Sequence, residues 1–139
     1  MNYLLDTCVV SELMVARPHS RVVAWVQNTP EESFYLSVIT IGELKKGIAK
    51  LAVSRRRQVL AEWLHDGLLV RFKGRLVALD AQVLLEWGSL MAALTADGKT
   101  MPAIDALIAA SARQGGFTLV TRNVADFAAA GAPLLNPWE

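Results

Sequence analysis

Tyr3-Leu4-Leu5-Asp6-Thr7 decides how the rest of the chain is read. A short apolar run stops on an acid, and a helical pattern begins at once, from Thr7 to about Val15, broken near Arg17-Pro18. An apolar run without alternation reads as a strand covered on both faces. The same switch from strand to helix recurs. Phe34-Tyr35-Leu36-Ser37-Val38 is aromatic and β-branched enough for a second strand, and Thr40 then opens a helix with Ile41, Leu44 and Ile48 on one stripe. Thr118-Leu119-Val120-Thr121 makes a third strand, followed from Asn123 by a short helical turn through Phe127.

Helices fill most of the intervals. Ser20 to Gln27 is one, and Ser54 to His65 is another, stopped by Asp66-Gly67. Asp80 caps a long apolar helix that reaches about Ala96 and ends at Asp97-Gly98. Pro102 suits a first helical turn, and that helix runs to Gln114 before Gly115-Gly116. Leu76 to Leu79 reads as a short extended piece, and Pro133-Leu134-Leu135 as an edge strand. Strands that alternate with helices predict an α/β fold on a parallel sheet with both faces covered. No repeat, low-complexity tract or linker divides residues 1–139, so one domain is expected.

Composition narrows the function classes. The chain is 53% hydrophobic with mean hydropathy +0.33, enough for a core and a surplus that a partner would cover. Net charge is only +1, so any nucleic-acid contact must come from a local basic patch. Cys8 is the one cysteine, which excludes an internal disulfide, and no cysteine–histidine spacing suits zinc. There is no basic segment followed by an apolar stretch at the N-terminus, and no apolar window approaches about 18 residues. A soluble cytoplasmic protein without a membrane span is expected.

Asp6, Glu43, Asp105 and Asp126 stand at element boundaries, Asp6 after a strand and the others in first helical turns. Ligands of parallel sheets bind beyond the carboxyl ends of the strands, where such positions converge. Converging carboxylates repel, and the usual remedy is a divalent cation. Each acid also has a structural explanation. Asp6 can cap the next helix, Glu43 has capping-box spacing from Thr40, and Asp126 stands three residues after Asn123. Asp105 can complement the helix dipole, although its neighbours Ala103-Ile104 and Ala106-Leu107-Ile108 make an unpaired acid costly there. Glu31-Glu32, Glu62, Asp66 and Asp97 read as solvated, and Glu12 as a weak supporting candidate. An all-oxygen ligand set suits Mg²⁺ or Mn²⁺.

Four blocks carry a resemblance: Met1 to Thr7, Ser37 to Leu44, Pro102 to Ala112 and Leu119 to Phe127. Together, in this order, they resemble PIN-domain ribonucleases, in particular the VapC/FitB-type toxins of bacterial toxin–antitoxin pairs. The resemblance implies a three-layer α/β/α sandwich with a central parallel sheet. It implies Mg²⁺ or Mn²⁺ held by Asp6, Glu43 and Asp105 with a fourth group nearby, and hydrolysis of RNA to a 5′-phosphate and a 3′-hydroxyl. The fourth acid of the family pattern falls at Asn123, with Asp126 three residues on, so either completes the set. It further implies a homodimer, a cognate antitoxin that blocks the acidic cleft, and a larger assembly on operator DNA through the antitoxin.

Other residues are weighed beside that set. Thr7 and Thr121 are placed to bond phosphate or bound water, with capping and strand packing as their structural roles. Lys45, Lys46 and Lys50, then Arg55, Arg56 and Arg57, with Arg122, are candidates for the RNA backbone, or else merely solvated faces. His19 and His65 fall on surface helices and are not needed as bases. Two rivals stay open, a non-catalytic domain that offers an acidic pocket to a basic peptide, and a metal-dependent DNA nuclease. An aspartyl-phosphate enzyme is disfavoured because Cys8 stands two residues after Asp6, and a dinucleotide enzyme because no glycine-rich loop follows the first strand.

Overall fold

The computed structural model describes residues 1–139. Strand β1 is Tyr3–Leu5, followed by helices α1 (Thr7–Met14) and α2 (Ser20–Gln27). Then come β2 (Phe34–Ser37), α3 (Val38–Ala49) and α4 (Arg55–Glu62), which continues through a wide π turn at Trp63–Leu68 into α5 (Leu69–Arg71). Strand β3 (Leu76–Val77) precedes two packed helices, α6 (Ala81–Ala96) and α7 (Ala103–Gly115). Strand β4 (Thr118–Val120), the short α8 (Val124–Phe127) and β5 (Leu134–Leu135) complete the chain.

All strand pairs are parallel, in the order β3-β2-β1-β4-β5. Tyr3 pairs with Phe34 on one side and Thr118 on the other, which makes β1 the centre. Its neighbours in the chain pack to opposite faces, as the period of a strand requires. Leu5 joins Val9, Val10, Val22 and Leu64 in one core, while Leu4 joins Leu90, Leu94, Ile108 and Phe127 in the other. Helices thus cover both faces, as the α/β/α expectation has it. The chain winds outward from β1 in one direction through β3, then reverses through β4 and β5. That reversal opens a crevice beyond the carboxyl ends of β1 and β4.

Two boundaries differ from the sequence reading. Asp66-Gly67 does not end its helix, because Leu64 and Leu68 are both buried in the core. Burying a leucine contributes about 1.5–3 kcal/mol, against about 1 kcal/mol for a helical glycine. Helix α3 starts at Val38, earlier than Thr40, because the Ser37 hydroxyl accepts from the Ile39 N–H at 3.1 Å. Glu43 therefore lies in the second turn and has no capping role.

Helices α6 and α7 end alike. Gly98 (φ 67°) donates to Thr95 O at 3.1 Å and Lys99 to Leu94 O at 2.8 Å. Gly116 (φ 69°) donates to Arg113 O at 3.3 Å and Phe117 to Ala112 O at 2.9 Å. Both are Schellman stops, which need a left-handed residue that glycine adopts without steric strain.

At the amino edge of the sheet, Glu31 is not simply solvated, as its turn setting suggested. Arg71 grips both of its carboxylate oxygens at 2.6 Å, and Arg75 reaches one at 3.1 Å. Arg75 also donates to the carbonyls of Glu31, Phe34 and Arg71, each at 2.7 Å, with its guanidinium 4.7 Å from the Phe72 ring centre. The hydrogen bond from Arg71 leads in holding the Glu31 carboxyl below its ordinary value.

Candidate active site

Asp6 directly follows β1 at its carboxyl end and is 8% exposed. It caps α1 as the sequence allowed, with Oδ1 accepting the Thr7 N–H at 2.9 Å. The other oxygen accepts from the Thr121 hydroxyl at 2.8 Å. Thr121 is fully buried and accepts in turn from the Asn123 N–H at 3.0 Å. Its position one residue past β4 therefore fixes the orientation of Asp6 across the β1–β4 reversal. The Cys8 sulfur lies 3.6 Å from both Asp6 Oδ2 and Thr121 Oγ1. Burial, partly offset by a hydrogen bond from the Arg122 backbone, pushes the Cys8 thiol above its ordinary value, so it stays protonated.

Thr7 links Asp6 to α3. Its hydroxyl donates to Glu43 Oε1 at 2.6 Å and lies 3.1 Å from the buried Thr40 hydroxyl. Thr40 was missed as a site residue because its place after the strand suggested a cap. From the other side, α7 brings Asp105 and α8 brings Asp126. Both line a cleft of about 440 Å³ whose wall includes Lys99, a cation absent from the sequence-based set.

The four acids are near enough for their charges to act on one another, although Glu43 lines a different cleft from Asp105 and Asp126. Burial raises the Asp105 carboxyl, and the charges of Asp6, then Asp126, then Glu43 raise it further. No ion pair reaches any of them; the three in the molecule are Arg71–Glu31, Arg75–Glu31 and Arg113–Glu86. Asp6 is buried with only an amide, a hydroxyl and a thiol as partners. The acids form an open convergence, and no three acidic, cysteine or histidine side chains stand close enough to cage an ion as they are. The donors in reach are carboxylate oxygens, the thiol is protonated, and of the two histidines, both exposed, His19 caps α2 and His65 lies in the π turn. That donor set fits a hard divalent cation.

The remaining candidates divide. Lys46 and Lys50 share a second cleft of about 440 Å³ with Glu43 and Ile104. Lys45 and Arg57 line a separate depression, and Arg55 and Arg56 are exposed outside both. The exposed Arg122 has its guanidinium 5.4 Å from the Trp138 ring centre, which ties it to the C-terminal segment. Asn123 is exposed and makes no capping bond, while Asp126 stands in the cleft beside Asp105. Glu12 leaves the candidate set because its carboxylate accepts the His19 N–H at 3.0 Å, at the start of α2.

Comparison with known proteins gives matches along nearly the whole chain. A family model described as PIN domain matches residues 3–132. Toxin FitB of Neisseria gonorrhoeae is 38% identical over 136 residues, covering 98% of both chains. VapC ribonuclease Y4jK of Sinorhizobium fredii is 38% identical over 136 residues, covering 98% of this chain and 97% of that one. The solved structure of FitAB bound to an IR36 DNA fragment contains a chain that superposes with a TM-score of 0.93 at 36% identity. The superposition covers 99% of this chain and 96% of that one.

Proposed function

This chain belongs to the PIN-domain family, and on that premise we propose that it is a metal-dependent endoribonuclease, the toxin of a toxin–antitoxin pair. The observation that carries the proposal is the Asp105 carboxyl, raised by burial and by the charges of Asp6, Asp126 and Glu43 with no cation paired to any of them. Relatives of this length that are named as a VapC ribonuclease and as a toxin support the same reading.

Asp6, Glu43 and Asp105 would hold Mg²⁺ or Mn²⁺, and Asp126 is the fourth acid in preference to Asn123. When bound, the cation supplies Lewis-acid activation of water and offsets charge on the phosphoryl group. The protein's own residues supply orientation. Thr121 and the Thr7 amide hold the two oxygens of Asp6 in different directions, and the Thr7 hydroxyl holds Glu43. In the hydrolysis a water oxygen bonds to phosphorus, the P–O3′ bond breaks, and the leaving oxygen takes a proton. The products carry a 5′-phosphate and a 3′-hydroxyl. Lys46 and Lys50, beside Glu43, contact the RNA backbone.

The antitoxin is proposed to cover the acidic crevice, and the complex to bind operator DNA through it, in line with a relative solved on a DNA fragment. Exposed Leu84 and Leu85 on α6 are proposed to lie in a homodimer contact. No helix is long and apolar enough to cross a membrane. The test is digestion of labelled RNA and of single-stranded DNA by the purified protein, with Mg²⁺, with Mn²⁺ and with EDTA. RNA cleavage that needs the ion and is lost in Asp105→Asn supports the proposal. Ion-independent cleavage, or preference for DNA, rejects it.

A further inference from the structure

The two Schellman stops carry different residues after their left-handed glycine. After α7 it is Phe117, 7% exposed, with its ring 4.9 Å from that of Tyr35. Phe117 also shares a core cluster with Ala112 in the last turn of α7, the kind of apolar contact that usually accompanies this motif. After α6 the equivalent residue is Lys99, which is exposed and belongs to none of the three ion pairs. Lys99 thus takes the place of the usual apolar residue without an ion pair in exchange, and departures of this kind are expected at functional positions. The backbone here is well tethered, since Lys99 donates to Leu94 O, Met101 is buried and α7 begins at Ala103.

Lys99 stands in the cleft of Asp105 and Asp126. The residue before Asp105, Ile104, lines the cleft of Glu43, Lys46 and Lys50. The first turn of α7 is therefore a ridge between two clefts, one walled by Asp105, Asp126 and Lys99 and the other by Glu43, Lys46 and Lys50. A polyanion drawn over repelling carboxylates needs positive charge on both sides.

We propose that Lys99 is a positioning residue that holds a backbone phosphate of single-stranded RNA on the α8 side of the scissile bond, while Lys46 and Lys50 hold phosphates on the α3 side. This rests on the ribonuclease reading and adds a path for the strand, across the Ile104–Asp105 ridge.

The test uses a fluorescent single-stranded RNA oligonucleotide bound to full-length Asp105→Asn protein over a range of salt, and cleavage kinetics in the protein with Asp105 intact. Lys99→Ala is expected to weaken binding about five- to tenfold and to lower the slope of log affinity against log salt by about 0.7. It raises KM and leaves kcat nearly unchanged, and Lys99→Arg restores both affinity and slope. Lys73→Ala, beyond the amino edge of β3, serves as the charge control and leaves both as they were. If Lys99→Ala binds with unaltered affinity and slope while the parent protein cleaves RNA, this inference is overturned and the ribonuclease reading survives. If the parent protein neither binds nor cleaves RNA, both fall.

Discussion

The two edges of the sheet treat charge in opposite ways. At the amino edge, one carboxylate, Glu31, is held by two arginines that also bind backbone carbonyls. At the carboxyl edge, the charges of Asp6, Asp126 and Glu43 act on Asp105, and no cation pairs with any of the four. The first arrangement is complete within the chain and works as a staple between β2 and the segment leading to β3. The second is incomplete, and its repulsion opposes folding until something positive arrives. Mutually repelling charges gathered at one edge are the pattern expected of a functional site rather than of a structural ion pair.

The contrast can be broken most severely at Asp105. Asp105→Asn is expected to reduce RNA cleavage by a factor on the order of 10² to 10³ or more, the scale for losing one preorganised electrostatic group. The same change should leave the metal-free protein at least as stable as the parent, because one of the repelling charges is gone. Digestion assays and thermal melts in EDTA check the two halves. A variant that is inactive because it melts early would place Asp105 among structural residues.

At the other edge the signs reverse. Arg75→Ala should lower stability by about 1–2 kcal/mol, because it leaves the partly buried carbonyls of Glu31 and Phe34 and part of the Glu31 carboxylate without their donor. Cleavage per folded molecule should be unaffected, which urea melts and kcat together decide. Added Mg²⁺ should raise the melting temperature of the parent protein through mass action, and should raise that of Asp105→Asn less. Equal shifts in both would mean that the ion binds elsewhere.

The smallest effect is a pH dependence. Glu31 has a lowered carboxyl, so its contribution is complete above the ordinary glutamate value and is lost as pH falls through the lowered one. Its side chain is 43% exposed, so solvent screening keeps that contribution small. Asp105 has a raised carboxyl, so in metal-free protein its stability penalty grows as pH rises from the ordinary aspartate value to the raised one. Glu31→Gln should flatten the acid limb of a melting-temperature profile, and Asp105→Asn should remove the decline above it. Identical profiles for the two variants would erase the distinction between the edges.

The parts of this molecule that were legible in the sequence are those set by local pattern. Apolar runs gave β1, β2 and β4, and an acid directly after Leu5 gave Asp6 its place at a strand end. Asp105 stood out because its apolar surroundings offered it no partner. What was not legible depends on contacts between distant segments. Glu31 and its arginines are 40 and 44 residues apart, so a turn glutamate looked solvated. Gly67 looked like a stop because the burial of Leu64 and Leu68 is a tertiary gain. Thr40 looked like a cap because the true cap, Ser37, was counted in the strand. Lys99 escaped notice because its significance lies in what it replaces, an apolar residue of the kind that Phe117 supplies.

The central pairing of β1 with β4 joins residues 3–5 to residues 118–120, and the Asp6 carboxylate takes its hydrogen bond from Thr121. A nascent chain emerging from the ribosome cannot make that pairing until residues 118–120 have been synthesised. Fragments from interrupted translation, or from one proteolytic cut that lets the halves separate, lack a complete set of acids. On the ribonuclease reading, the order of the strands therefore delays activity until β4 and the residues after it have been made, and abolishes it once the polypeptide is divided between β1 and β4.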